Sequence, residues 1–149
     1  MKKFVFLLTI LTVGSISASA DEDAKKQLLG AWSATSMKAN GSDVPERVLK
    51  SIRLTFTEKA LRIRGNFGDD REQSCTYKID ATKKPHHFEF TPPRVTKPIQ
   101  GIYELKEDDV LKICVRHANA EGGRPTEFKS TPDSRIIMFV LRREKTPKP

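Results

Sequence analysis

Three histidines, two cysteines and one Arg-Pro-Thr-Glu block are the residues of this chain whose types could carry chemistry. A catalytic metal site needs about three converging ligands. His86 and His87 are adjacent in a segment of strand character, so their side chains leave opposite faces and cannot share one ion. They are expected as exposed strand-end histidines. Cys114 and His117 have the spacing of a thiol–imidazole pair at a strand end. The plainer reading, an ordinary thiol on a surface strand, fits Cys114 better. No Gly-x-Ser-x-Gly elbow is present, and Gly122-Gly123 lacks the Lys-Ser/Thr of a phosphate loop. Glu104, Glu107, Asp108 and Asp109 crowd one turn, which is the pattern of a solvated turn rather than of paired glycosidase carboxylates. No metal, no cofactor and no enzymatic activity are expected. Arg124, Thr126 and Glu127 put a guanidinium, a hydroxyl and a carboxylate in one loop, where Arg124 and Glu127 are expected to tie the loop to the body of the fold.

The elements that would position these residues are mostly strands. Gly30-Ala31-Trp32 opens a strand running to about Lys38, followed by an Asn40-Gly41-Ser42-Asp43 turn cluster. Pro45 to Leu49 predicts a short helix with Asp43 as its N-cap. From there the apolar period is two: Ile52, Leu54, Phe56; Leu61, Ile63; Cys75, Tyr77, Ile79; Phe88, Phe90; Tyr103, Leu105. Glu107-Asp108-Asp109 turns the chain into a strand over Val110 to Arg116. A Gly-containing loop, a short strand at Thr126 to Lys129 and a continuous apolar strand at Ile136 to Leu141 complete the pattern. Eight or nine short strands with turns between them predict an all-β barrel or sandwich. The inward set would be Trp32, Leu54, Phe56, Ile63, Tyr77, Ile79, Phe88, Phe90, Tyr103, Leu105, Leu111, Ile113, Val115 and Phe128.

Residues 1–20 read as a cleavable export signal. Lys2 and Lys3 precede the apolar run Phe4 to Val13, and Ala18-Ser19-Ala20 has the small residues that signal peptidase requires. The run is too short to span a bilayer, which takes about 20 residues, and no later stretch qualifies. Residues 21–27 would then be a helical or loose lead-in, 28–144 the domain and 145–149 a frayed tail. Of the net charge of +8, six charges remain after residues 1–20 are removed, spread along the chain without a basic block. Export disfavours nucleic acid as a partner and places Cys75 and Cys114 where oxidation is possible. Alternation nevertheless puts Cys75 with Tyr77 and Ile79, and Cys114 with Lys112 and Arg116. Sulfurs on opposite sheet faces cannot bond.

Several blocks together resemble one family. Leu29-Gly30-Ala31-Trp32 is similar to the G-x-W signature of lipocalin-type barrels. Leu54-Thr55-Phe56, Thr76 to Asp80 followed by Thr82 to Pro85, Gly101 to Leu105, Leu111 to Cys114, Arg124 to Phe128 and Val140 to Glu144 extend the match. In order and spacing they resemble a planctomycete-type family of small secreted lipocalin-like domain proteins of unknown function, over about residues 28 to 144. That family usually has Gly where this chain has Cys75. The resemblance implies a compact antiparallel barrel of about eight strands, with Gly30, Trp32 and Arg142 (or its neighbour Arg143) as a structural signature closing one end. That family has no established activity, so the resemblance gives a fold and not a function. The first reading for such a barrel is a non-enzymatic binding module for a small, partly apolar molecule, with Phe56, Tyr77, Phe90 and Tyr103 lining the interior. A second reading is an envelope interaction protein that meets an anionic partner through its outer surface, with Arg62, Arg64 and Arg116 as contacts. The bulky inward set predicts a small cavity or none.

Overall fold

The computed structural model describes residues 16–65, 71–117 and 119–145. Residues 1–15, which hold the n-region and apolar run of the expected export signal, lie outside the described residues, as do 66–70, Ala118 and 146–149. The chain begins with helix α1 (Ile16–Leu28) and continues through strands β1 (Gly30–Ala39) and β2 (Ser42–Asp43), helix α2 (Glu46–Leu49), and strands β3 (Arg53–Phe56), β4 (Leu61–Arg64), β5 (Gln73–Asp80) and β6 (His86–Thr91). Strands β7 (Ile99–Lys106), β8 (Val110–Arg116) and β9 (Ile136–Arg143) complete the order, with a single 3-10 turn, Glu107–Asp109, between β7 and β8.

Strands β1 and β3–β9 pair antiparallel in chain order, and β1 pairs with β9 to close an eight-stranded barrel. Strand β2 is a short extra strand folded back on β1 through the two-residue Asn40-Gly41 turn. Closure leaves the eight strands no free edge on which another chain could add. The inward positions read from the two-residue period are in the core or packed against it, apart from Phe128. The tail of the chain before the barrel is helical rather than loose: α1 covers Asp21 to Leu28 and begins before Asp21.

Four expectations are corrected. Asp43 pairs with Lys38 as a strand residue, and α2 starts from Pro45 with no side-chain cap. Thr126 to Lys129 forms no strand; the segment crosses the outside of the barrel as an irregular strap. Phe128, carried on that strap, is half-buried and outside the core. Cys114 is on the outer face as alternation requires, yet it is fully buried because the strap covers it.

The strands alternate in direction, so the barrel has two distinct ends. At one, α1 lies against the strand ends: Trp32 Nε1 donates to the Leu28 carbonyl at 2.9 Å, Ala81 N donates to Asp21 Oδ1 at 2.7 Å, and Lys25 Nζ stands 5.0 Å from the Tyr77 ring centroid. At the other end are the connections 40–52 and 92–98, the described residues of the stretch between β8 and β9, and residues 65, 71 and 72 beside β4 and β5. No helix of the described residues is long and apolar enough to cross a membrane.

Candidate ligand cavity

Trp32 faces inward on β1 and is completely buried. Register places Arg143 of β9 opposite it. The Arg143 guanidinium carbon lies 4.2 Å from the Trp32 ring centroid, Nη1 and Nη2 donate to the Leu29 and Gln27 carbonyls (both 2.6 Å), and Nε donates to Asp109 Oδ1 at 2.8 Å. The group that seals the helix end is therefore Arg143 and not Arg142, which is exposed on the outer face. A cation suits this place, since the last carbonyls of a helix carry partial negative charge. Gly30 begins β1 at φ +117°, a conformation that glycine adopts without strain.

Three of the four expected ligand residues belong to this sealed end. Phe56 packs edge-on against Tyr77 (centroids 5.3 Å apart), the Tyr77 hydroxyl donates to the Thr57 carbonyl at 2.7 Å, and Tyr103 stacks on His86 at 5.2 Å. Burial, and next the Asp21 and Asp80 charges, push the Tyr103 hydroxyl up to about 12. That hydroxyl is buried without a protein partner among the described residues. Phe56, Tyr77 and Tyr103 are core, and of the four only Phe90 lines a cavity.

That cavity occupies the loop half of the barrel and has a volume of about 150 Å³. Its walls come from nearly every strand: Met37, Leu54, Leu61, Ile63, Phe88, Phe90, Ile113, Val115, Ile137 and Phe139 are apolar, with Ile52, Pro92 and Ile99 nearer the rim. Gln73, Arg116 and His117 are the polar members. Phe88 divides the two halves, with its ring 6.2 Å from Phe56 on one side and 5.7 Å from Phe90 on the other. Sequence reasoning missed Met37 because a bulge between Ala34 and Ser36 shifts the β1 register, turning Met37 and Ala39 inward after Trp32 and Ala34. Ile52, Leu61 and Ile137 were visible as apolar positions, but not as neighbours around one space.

Comparison with known proteins finds no match. No family model, no curated protein and no solved structure corresponds to this chain.

The remaining sequence-level candidates are structural or separate. Arg124 anchors the strap: Nη1 donates to the Phe88 carbonyl (2.8 Å) and the Gly101 carbonyl (2.6 Å), and Nη2 pairs with Glu89 at 3.2 Å. The tie expected of Arg124 is thus formed, with Glu89 as its carboxylate partner, whereas the Glu127 side chain takes no part in it and is exposed along with Thr126. The Glu127 carbonyl instead accepts from the Cys114 thiol at 3.6 Å. Cys75 and Cys114 are both free, the first inside the barrel and the second beneath the strap. Burial pushes each thiol up to about 11. Cys114 is thus a protonated thiol aimed at a carbonyl, and its pairing with the exposed His117 is not formed. His86 and His87 are half-buried rather than exposed, and no group of three metal-ligating side chains occurs among the described residues. Burial, then the Arg124 charge, pulls His87 below the ordinary imidazole value.

Proposed function

We propose that this chain is an exported, non-enzymatic binding module that takes a small, partly apolar molecule into the loop half of its barrel. The apolar cavity of about 150 Å³ carries this reading. An apolar space of about that size has room for a benzene-sized guest, so the ligand's buried part is one ring or a short hydrocarbon segment. The polar groups at the rim, Gln73 and His117, give such a molecule a hydrated end to face. The resemblance of the Gly30-Trp32 and later blocks to small secreted lipocalin-like domains, and the export-type sequence of residues 1–20, support the exported part of this reading. The outer-surface alternative is weaker, since Arg62 pairs with Glu72 at 3.9 Å and Arg116 donates to the Gly123 and Ser134 carbonyls.

The test is methyl-detected NMR of the protein with a benzene-sized apolar probe. Shifts are expected at lining methyls, Met37, Leu54, Leu61, Ile63, Ile113, Val115 and Ile137 among them, and not at methyls of the sealed end, and Ile99→Trp, which fills the rim, should abolish them. If millimolar probe shifts none of these methyls, the cavity does not bind and the reading fails. N-terminal sequencing of exported protein should begin at Asp21.

A further inference from the structure

The β6–β7 connection stands apart from the rest of the loop end. Pro93 through Pro98 are all exposed, and the Val95 amide donates to the Pro92 carbonyl at 3.3 Å, closing a turn. Prolines at 92, 93 and 98 stiffen the finger by fixing φ. At its tip is Val95, 39 % exposed and the one large apolar residue that is exposed among the described residues. Arg94 and Lys97 flank it, and neither makes an ion pair or hydrogen bond among the described residues; nor does Arg64, which ends β4 at the same end of the barrel. The described acids of the neighbouring connections are already matched: Asp43 with Lys38, Glu46 with Lys50 and Glu72 with Arg62. The unpaired acids Glu121, Glu127 and Asp133 belong to the 117–135 connection. The finger is joined to the cavity at its base, since Pro92 and Ile99 both line it.

We propose that the loop end docks on an anionic lipid surface through Arg94, Val95 and Lys97, bringing the mouth of the cavity against the bilayer. Cations attract anionic headgroups, and an apolar residue between them gains only from a partner with apolar depth. A lipid surface supplies both, whereas a soluble polyanion supplies only the charge. The transfer of an apolar ligand between bilayer and cavity rests on the function proposed above; the docking itself does not.

Flotation of the protein with vesicles tests this. Binding to vesicles containing phosphatidylglycerol should exceed binding to pure phosphatidylcholine, and should fall in high salt. Each cation near such a surface contributes about fivefold, so the double variant R94Q/K97Q should bind about 25-fold more weakly, and Val95→Ser, which removes the apolar side chain without changing the charge, should lose about fivefold. These side chains are exposed, so folding is unaffected, and the NMR probe titration in vesicle-free buffer should be unchanged in every variant. Equal binding to neutral and anionic vesicles, or wild-type binding by R94Q/K97Q, overturns the proposal. So does tight binding to a soluble polyanion that Val95→Ser leaves intact, which would make the partner a polyelectrolyte. Vesicle binding with the expected losses supports docking even where the apolar probe fails to enter the cavity.

Discussion

Replacing Arg143 by Ala removes one guanidinium that performs three tasks at the sealed end of the barrel. Each charge-assisted hydrogen bond, to Leu29 and to Gln27, is of a kind that contributes about 1.5–3 kcal/mol. Stacking on Trp32 adds about 0.5–2 kcal/mol. The ion pair with Asp109, whose carboxylate is 65 % exposed, adds at most about 1 kcal/mol. One side chain makes all these contacts and is itself 28 % exposed, so they do not sum. A loss of about 3–4 kcal/mol is expected, a large share of the roughly 5–15 kcal/mol available to a domain. Arg143→Lys keeps the charge but not the planar fork and should lose about half as much. Equilibrium urea unfolding followed by the fluorescence of the single, buried Trp32 measures this, with the midpoint falling by about 1–2 M for Ala. Arg142→Ala should stay within about 0.5 kcal/mol of the parent. If Arg143→Ala is equally benign, or Arg142→Ala is as damaging, the account of the sealed end is wrong.

Gly101→Ala should destabilise by about 2–3 kcal/mol in the same assay, because its Cβ would collide with the Cys114 carbonyl and approach Val115 Cγ1 to 2.6 Å. Arg124→Met should release the strap and speed labelling of Cys114 by a thiol reagent at least about tenfold, read by mass spectrometry, with Cys75 still protected inside the barrel. The two buried thiols also set an alkaline limit. Their contribution is intact below the ordinary thiol value of 9.0 and is lost as pH rises towards about 11, because unfolded thiols ionise in that window while folded ones keep their protons. Stability should therefore fall steadily from pH 9 to 11, and Cys75→Ser/Cys114→Ser should flatten that slope; an unchanged slope would mean that other groups dominate.

The sealed end and the strap show where a linear pattern stops being informative. Alternation at Cys75 and Cys114 placed the two sulfurs on opposite faces, and both are free. The same alternation could not show that Cys114 is buried, because its cover comes from residues ten or more positions further along, held by Arg124 to β6 and β7. Strand β9 is apolar on every position from Ile136 to Leu141, so it has no readable parity. The choice between Arg142 and Arg143 had no local signal and is set by the pairing of Trp32 with Arg143. Of the expected lining, Phe90 alone faces the cavity, since height along the barrel axis depends on the stagger of all eight strands.

The sequence by itself determined an all-β fold of short strands, most of its turns and most of its inward-facing residues, because side-chain period and turn chemistry are local properties of a strand. Tertiary structure decided which end is sealed, where the cavity lies and which residues line it. A bulge in β1, the closing pairing of β1 with β9 and a strap crossing the outer wall fix those outcomes. Each depends on segments far apart in the chain, whose relative register no single stretch of sequence encodes.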